Sequence, residues 1–173
     1  MLKRQLSKGE FIMDDCLKIL DSEVSLDEYF EAENVSDEVR GKIDSVDALI
    51  IPMKHSENEF YFAKDTIDFV KFCRQNDTEH TYDVLAEGDI KVLSLHSFDI
   101  WLPIIQVTIE FLPSIIKAIH SYIKSRLKGR EKEEANVDVT MVVKRKNEKK
   151  TLHYHGDAKT FKETFEKIDL NKM

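Results

Sequence analysis

The chain has 173 residues, of which 42% are hydrophobic and 34% charged, and its formal net charge is −7. That length supports one domain, or one domain with a small appended lobe, and it can bury a core without staples. With 3 prolines and 5 glycines there is no room for long linkers or low-complexity tracts.

The charge is unevenly spread. Residues 1–97 hold 11 Lys/Arg against 22 Asp/Glu, a net of −11, and residues 98–173 hold 15 against 11, a net of +4. This split predicts an acidic α+β lobe over 1–97, joined to a second lobe over 98–173 or continuous with it. The acidic half repels phosphate and disfavours nucleic acid. Cys16 and Cys73 have neither metal-knuckle nor redox spacing, and residues 1–10 contain no apolar run. A reduced, cytoplasmic protein without a secretory signal is expected.

In chain order, Ile12, Cys16, Ile19 and Leu20 fall at helical spacing and predict a helix over 11–20. Ser25-Leu-Asp-Glu28 fits a capping box opening a short helix through Phe30, and Ser36 caps a further turn ending near Gly41. Residues 48–52 and 59–62 predict the two strands of a hairpin, and Asp65 caps a helix carrying Ile67, Val70, Phe72 and Cys73. Residues 81–85 and 90–95 predict two strands around the turn at Glu87-Gly-Asp89.

Residues 100–128 form the most distinctive stretch. Gln106, Glu110, Ser114, Lys117, Ser121, Lys124 and Lys128 recur at steps of three and four, a narrow polar stripe on an otherwise apolar segment. The spacing predicts one long apolar helix, kinked at Pro113 or broken and restarted there, because an interior proline costs about 3 kcal/mol. Gln106, Glu110 and Lys117 interrupt the run, so a membrane span is not expected. A strand over 137–143, a basic turn, a return strand over 151–155 and a closing helix carrying Phe161, Phe165 and Ile168 complete the chain. The fold class is α+β, a small antiparallel or mixed sheet with the long apolar helix followed by a hairpin and the closing helix.

Few residues suggest chemistry. His153 and His155 share one strand face roughly 7 Å apart, and Asp157 follows closely. These three are the candidate metal ligands, but a catalytic zinc needs a convincing third ligand, and no H-E-x-x-H or Cys-x-x-Cys is present. No metal or other cofactor is therefore expected. Asp65 and Asp68, with Glu57 and Glu59, are the alternative carboxylate cluster of a Mg²⁺-dependent nuclease or nucleotide-acting enzyme. Ser94, His96 and Ser97 lack the strained turn and orienting acid of a triad, and no phosphate-binding glycine loop occurs. Lys144, Arg145, Lys146, Lys149 and Lys150 occupy a hairpin tip and form a candidate anion-binding patch, without the interleaved aromatics of a single-strand platform.

The apolar sector of the 100–128 helix is wider than one small sheet needs. Trp101, Ile105, Phe111, Leu112, Ile115 and Ile119 are therefore the candidate interaction surface, with a homodimer the favoured assembly. A peripheral membrane protein lying on this helix is a further alternative.

Residues 98–173 carry Trp101-Leu-Pro103, Phe111-Leu-Pro113, a charged connector, Val137-x-Val139-Thr140, Leu152-x-Tyr154 and a closing helix. This order resembles small effector-associated accessory proteins, the constant components of bacterial conflict and defence systems. The resemblance implies an adaptor beside a variable effector and carries no catalytic residue. The expected function is a non-enzymatic protein-interaction module.

Overall fold

The computed structural model describes residues 3–7, 10–13, 16–21, 26–57, 59–93 and 99–169, the first two segments by backbone alone. Strands β1 (Lys3–Ser7), β2 (Glu10–Met13) and β3 (Leu17–Asp21) pair antiparallel in sequence order. They replace the helix expected over 11–20. Leu17 and Ile19 are buried while Lys18 between them is exposed, so a period of two prevails there over the helical spacing.

Helices α1 (Asp27–Ala32) and α2 (Asp37–Arg40) follow. Ser36 caps α2, its side chain accepting a hydrogen bond from the Val39 N–H at 3.3 Å. Ser25, the expected cap of α1, lies outside the described residues. Next come β4 (Ala48–Ile51), β5 (Met53–Ser56), β6 (Glu59–Tyr61), α3 (Thr66–Asn76) and β7 (Tyr82–Val84). The expected hairpin of 48–52 with 59–62 does not form: β6 pairs with β5, and β4 joins the main sheet. β4 is buried along its whole length, as a central strand must be, whereas β5 is largely exposed. In the region expected as a strand over 90–95, Val92 makes an isolated bridge to Phe62, and 94–95 lie outside the described residues.

The apolar stretch then divides into β8 (Ile100–Thr108) and α4 (Leu112–Arg126), so the single long helix is not found. Both faces of β8 are packed, and a doubly buried strand gives a continuous apolar run that periodicity cannot separate from a buried helix. Gln106, a supposed member of the polar stripe, is only 5% exposed. Pro103 sits at a register shift of β8 against β9, where a missing N–H is tolerated, and Pro113 lies in the first turn of α4. Among the described residues, no helix is long and apolar enough to cross a membrane.

Strands β9 (Asn136–Arg145) and β10 (Glu148–Asp157) form the predicted hairpin, and α5 (Phe161–Glu166) closes the described chain. The mixed sheet runs β1-β2-β3-β10-β9-β8-β4-β7, with β8 parallel to β9 and β4 parallel to β7. The class is α+β, and strands from both sides of residue 97 interleave in this one sheet.

The two faces of the sheet are covered unequally. Helices α3, α4 and α5 bury one face through Phe69, Leu112, Ile115, Ile119, Phe161 and Phe165. On the other face, Tyr29, Val39, Leu49, Ile51, Phe60 and Leu85 form a smaller cluster around β4 and β7 that reaches Val142 of β9. Away from that cluster this second face is mostly polar, and it stays half-open at Leu20, Trp101, Asp138, Thr140, Thr151 and His153, with Lys18 and His155 exposed.

Asp65, at the start of α3, ties the helical layer to the sheet. It is only 2% exposed and does not cap its own helix. Its carboxylate accepts the Trp101 backbone N–H at 2.9 Å and the Tyr122 hydroxyl at 2.8 Å, and lies 3.4 Å from Nε of Arg126. Burial and then the Asp65 charge push the Tyr122 phenol upward, so it remains a hydrogen-bond donor.

Candidate functional site

On the half-open part of the second face, β9 and β10 place three polar side chains together. The hairpin register sets His155 opposite Asp138 and His153 opposite Thr140. One carboxylate oxygen, Oδ2 of Asp138, lies 2.9 Å from Nδ1 of His155 and 3.1 Å from Nε2 of His153. Burial raises the Asp138 pKa, but hydrogen bonding and charge from His153, then His155, outweigh it, and the carboxyl ends below its ordinary value. A carboxylate flanked in this way stays ionised and holds both rings in fixed orientations.

Next to this cluster, the β5–β6 hairpin stands off the sheet and encloses a cavity of about 230 Å³. Met53, Lys54 and His55 line it from β5, Tyr61 from β6, Trp101 and Leu102 from β8, and Asp138 from β9, together with Ala63, Lys64 and Leu93. The His55 and Tyr61 rings meet edge to face at 5.3 Å, and Trp101 lies 6.5 Å from the His155 ring. Lys54 is paired with Glu28 at 2.5 Å, and Lys64 donates to the Asp99 carbonyl at 2.8 Å. The indole N–H of Trp101 is buried with no acceptor among the described residues. A buried donor without a partner costs about 1–3 kcal/mol, and Thr66 Oγ1 and His120 Nδ1 share that status elsewhere in the molecule.

The expected metal ligands part company here. His153 and His155 do share a face, but the carboxylate between them belongs to Asp138. Asp157 instead accepts the Lys159 N–H at 2.8 Å and caps the turn before α5. Among the described residues, no three or more His, Cys, Asp or Glu side chains are placed to hold a metal ion. The carboxylates expected for Mg²⁺ are also dispersed: Asp65 is buried in its own network, while Glu57, Glu59 and Asp68 are exposed.

The expected interaction surface is mostly core. Ile105, Leu112, Ile115 and Ile119 have no exposed area, and Phe111 keeps 7%. Trp101 alone of the six remains partly open, at the cavity just described. Ile67 is the sole exposed large apolar side chain among the described residues. The apolar surplus that suggested a homodimer is thus taken up inside the chain, because 100–108 is a strand packed on both faces. In the basic hairpin tip, Lys144 and Lys149 are paired across the strands, Lys144 lies 3.8 Å from Asp44, and Lys150 bonds Asp21. Arg145 and Lys146 are exposed.

A second polar cluster joins Asp77, His80 and Tyr82 beside a cavity between α3 and α4. Asp77 lies 2.8 Å from Nδ1 of His80 and accepts the Tyr82 hydroxyl at 2.6 Å. Cys73 lines this cavity, but burial, then the charge of Asp77, pushes its thiol up to about 12, too high for a nucleophile at neutral pH.

Asp138 is the site residue that sequence reasoning missed, although the signal was present. Arg145 and Glu148 flank a two-residue turn at Lys146-Asn147, and counting back equally from it sets Asp138 opposite His155. No protein-family model, no curated protein and no solved structure matches the chain.

Proposed function

We propose that the protein is a non-enzymatic interaction module, an adaptor, that docks a protein partner on the half-open part of its second sheet face. One observation carries this reading. The helical layer closes the first face, while the second face leaves Asp138, His153 and Trp101 grouped beside a cavity. The three side chains are held by hydrogen bonds and packing, as a recognition surface requires. The buried position of Ile105, Leu112, Ile115 and Ile119 favours this face over the helix surface as the docking site. The likeness of residues 98–173 to constant components of defence systems agrees with an adaptor role.

Site-specific photocrosslinking in the cell of origin tests the reading. A photoreactive residue at Thr140, on the half-open face, is compared with one at Lys162, exposed on α5. A discrete adduct from 140 and none from 162 is expected. Adducts from 162 alone, or from neither position, would contradict the docking face.

A further inference from the structure

The geometry points to a site for an organic cation in the cavity under the β5–β6 hairpin, occupied by a lysine or arginine side chain of a protein partner, with Asp138 as counter-ion. The inference rests on the docking reading above and adds the chemistry of the partner.

Asp138 commits Oδ2 to both imidazoles, and its Oδ1 has no donor among the described residues. Asp138 lines the cavity with its side chain 24% exposed, so its carboxylate is open to a further cationic N–H donor. The aromatic rings of Tyr61 and Trp101 line the same space, and the face of such a ring attracts a cation. The cavity also has two lysines in its lining, which a cation would have to tolerate. Lys54 is paired with Glu28 at 2.5 Å, and Lys64 is held by the Asp99 carbonyl and lies 4.0 Å from the buried Asp65. Across the strands, Lys18 pairs with His153 and not with Asp138.

Size narrows the ligand further. A volume of about 230 Å³ is below the roughly 300–1,000 Å³ of sites for drug-sized molecules, which suits one side chain better than a nucleotide.

Trp101 is the only tryptophan, so its emission reports on the cavity directly. The full chain is titrated with n-butylguanidinium, n-butylammonium and, as the opposite charge, butyrate. Saturable change with a cation and none with butyrate is expected. Asp138→Asn should weaken cation binding about tenfold, the loss of one charge-assisted contact. Tyr61→Leu, which leaves Asp138 and its histidines in place, should weaken it as well. Preferential binding of butyrate, or cation binding unchanged in Asp138→Asn, would overturn the inference. If the cations fail to bind while adducts still form from position 140, the cation site falls and the docking face stands. Asp138-dependent cation binding without any adduct would overturn the assignment to a protein partner.

Discussion

Two sets of residues alternate along β9 and meet opposite fates. Val137, Val139 and Met141 are fully buried beneath the helices, while Asp138 and Thr140, one step out of phase, stay half-open on the other side. Both sets share one backbone and one set of ladder hydrogen bonds. They differ in side-chain polarity and in what covers them. The covered set shows how the fold is held together, and the half-open set forms the face proposed above for docking.

The largest effect that sharpens this contrast belongs to the covered side. Asp65→Ala leaves the Trp101 N–H, the Tyr122 hydroxyl and Arg126 without their shared acceptor. A loss of about 3–5 kcal/mol in chemical denaturation is expected, as for other broken buried charge networks. A loss below about 1 kcal/mol would show that the helical layer is not tied to the sheet through this carboxylate.

The next comparison pairs the two faces directly. Ile115→Ala, with no exposed area, should cost about 2–5 kcal/mol, and Thr140→Ala should stay within about 0.5 kcal/mol. Equal costs at both positions would break the distinction. Both variants should unfold in a single transition, since strands from the two halves of the chain share one sheet.

A smaller effect is expected at Gly156. A Cβ there would sit 2.5 Å from Sγ of Cys16 and 3.3 Å from the Tyr154 hydroxyl. Gly156→Ala should cost about 1–3 kcal/mol through overpacking, and removing the sulfur with Cys16→Ala in the same chain should recover part of it. No recovery in the double variant would place the strain elsewhere.

The smallest effect is a pH dependence on the half-open side. The folded pKa of Asp138 lies below its ordinary value, so its contribution to stability is present above the unfolded pKa of about 3.9. That contribution is lost as pH falls through the folded pKa. Denaturation midpoints at pH 7 and at about pH 3 should therefore differ less in Asp138→Asn than in the parent chain. An identical difference in the two chains would show that Asp138 gains nothing from its histidines.

Much of this architecture is legible in the sequence wherever one signal acts alone. The 137–143 and 151–155 strands, the helix after Asp65 and the Ser36 cap all appear where local patterning places them. The 100–126 region fails for a physical reason. Ile104, Ile105, Val107, Ile115, Ile116 and Ile119 are equally apolar on strand and helix, and a strand buried on both faces loses the alternation that would identify it. The 11–20 region fails for the opposite reason, since a short amphipathic strand there also satisfies helical spacing. At the site, His153 and His155 are visible as a pair, and Asp138 is reachable by counting from the hairpin turn. The cavity is not, because it depends on β5 and β6 standing off the sheet, a tertiary arrangement with no local signature. Trp101 attracts notice in the sequence as an interaction residue, but its place on a helix does not survive.

The central claim is that the half-open part of the second sheet face binds and the helix-covered face does not. The most direct measurement is the affinity of the purified partner, once identified by its adduct from position 140, for Thr140→Arg and for Lys162→Glu. The account predicts that Thr140→Arg binds about a hundredfold more weakly with an unchanged melting temperature, while Lys162→Glu binds as the parent chain does. Undiminished binding by Thr140→Arg, or an equal loss in Lys162→Glu, would contradict it.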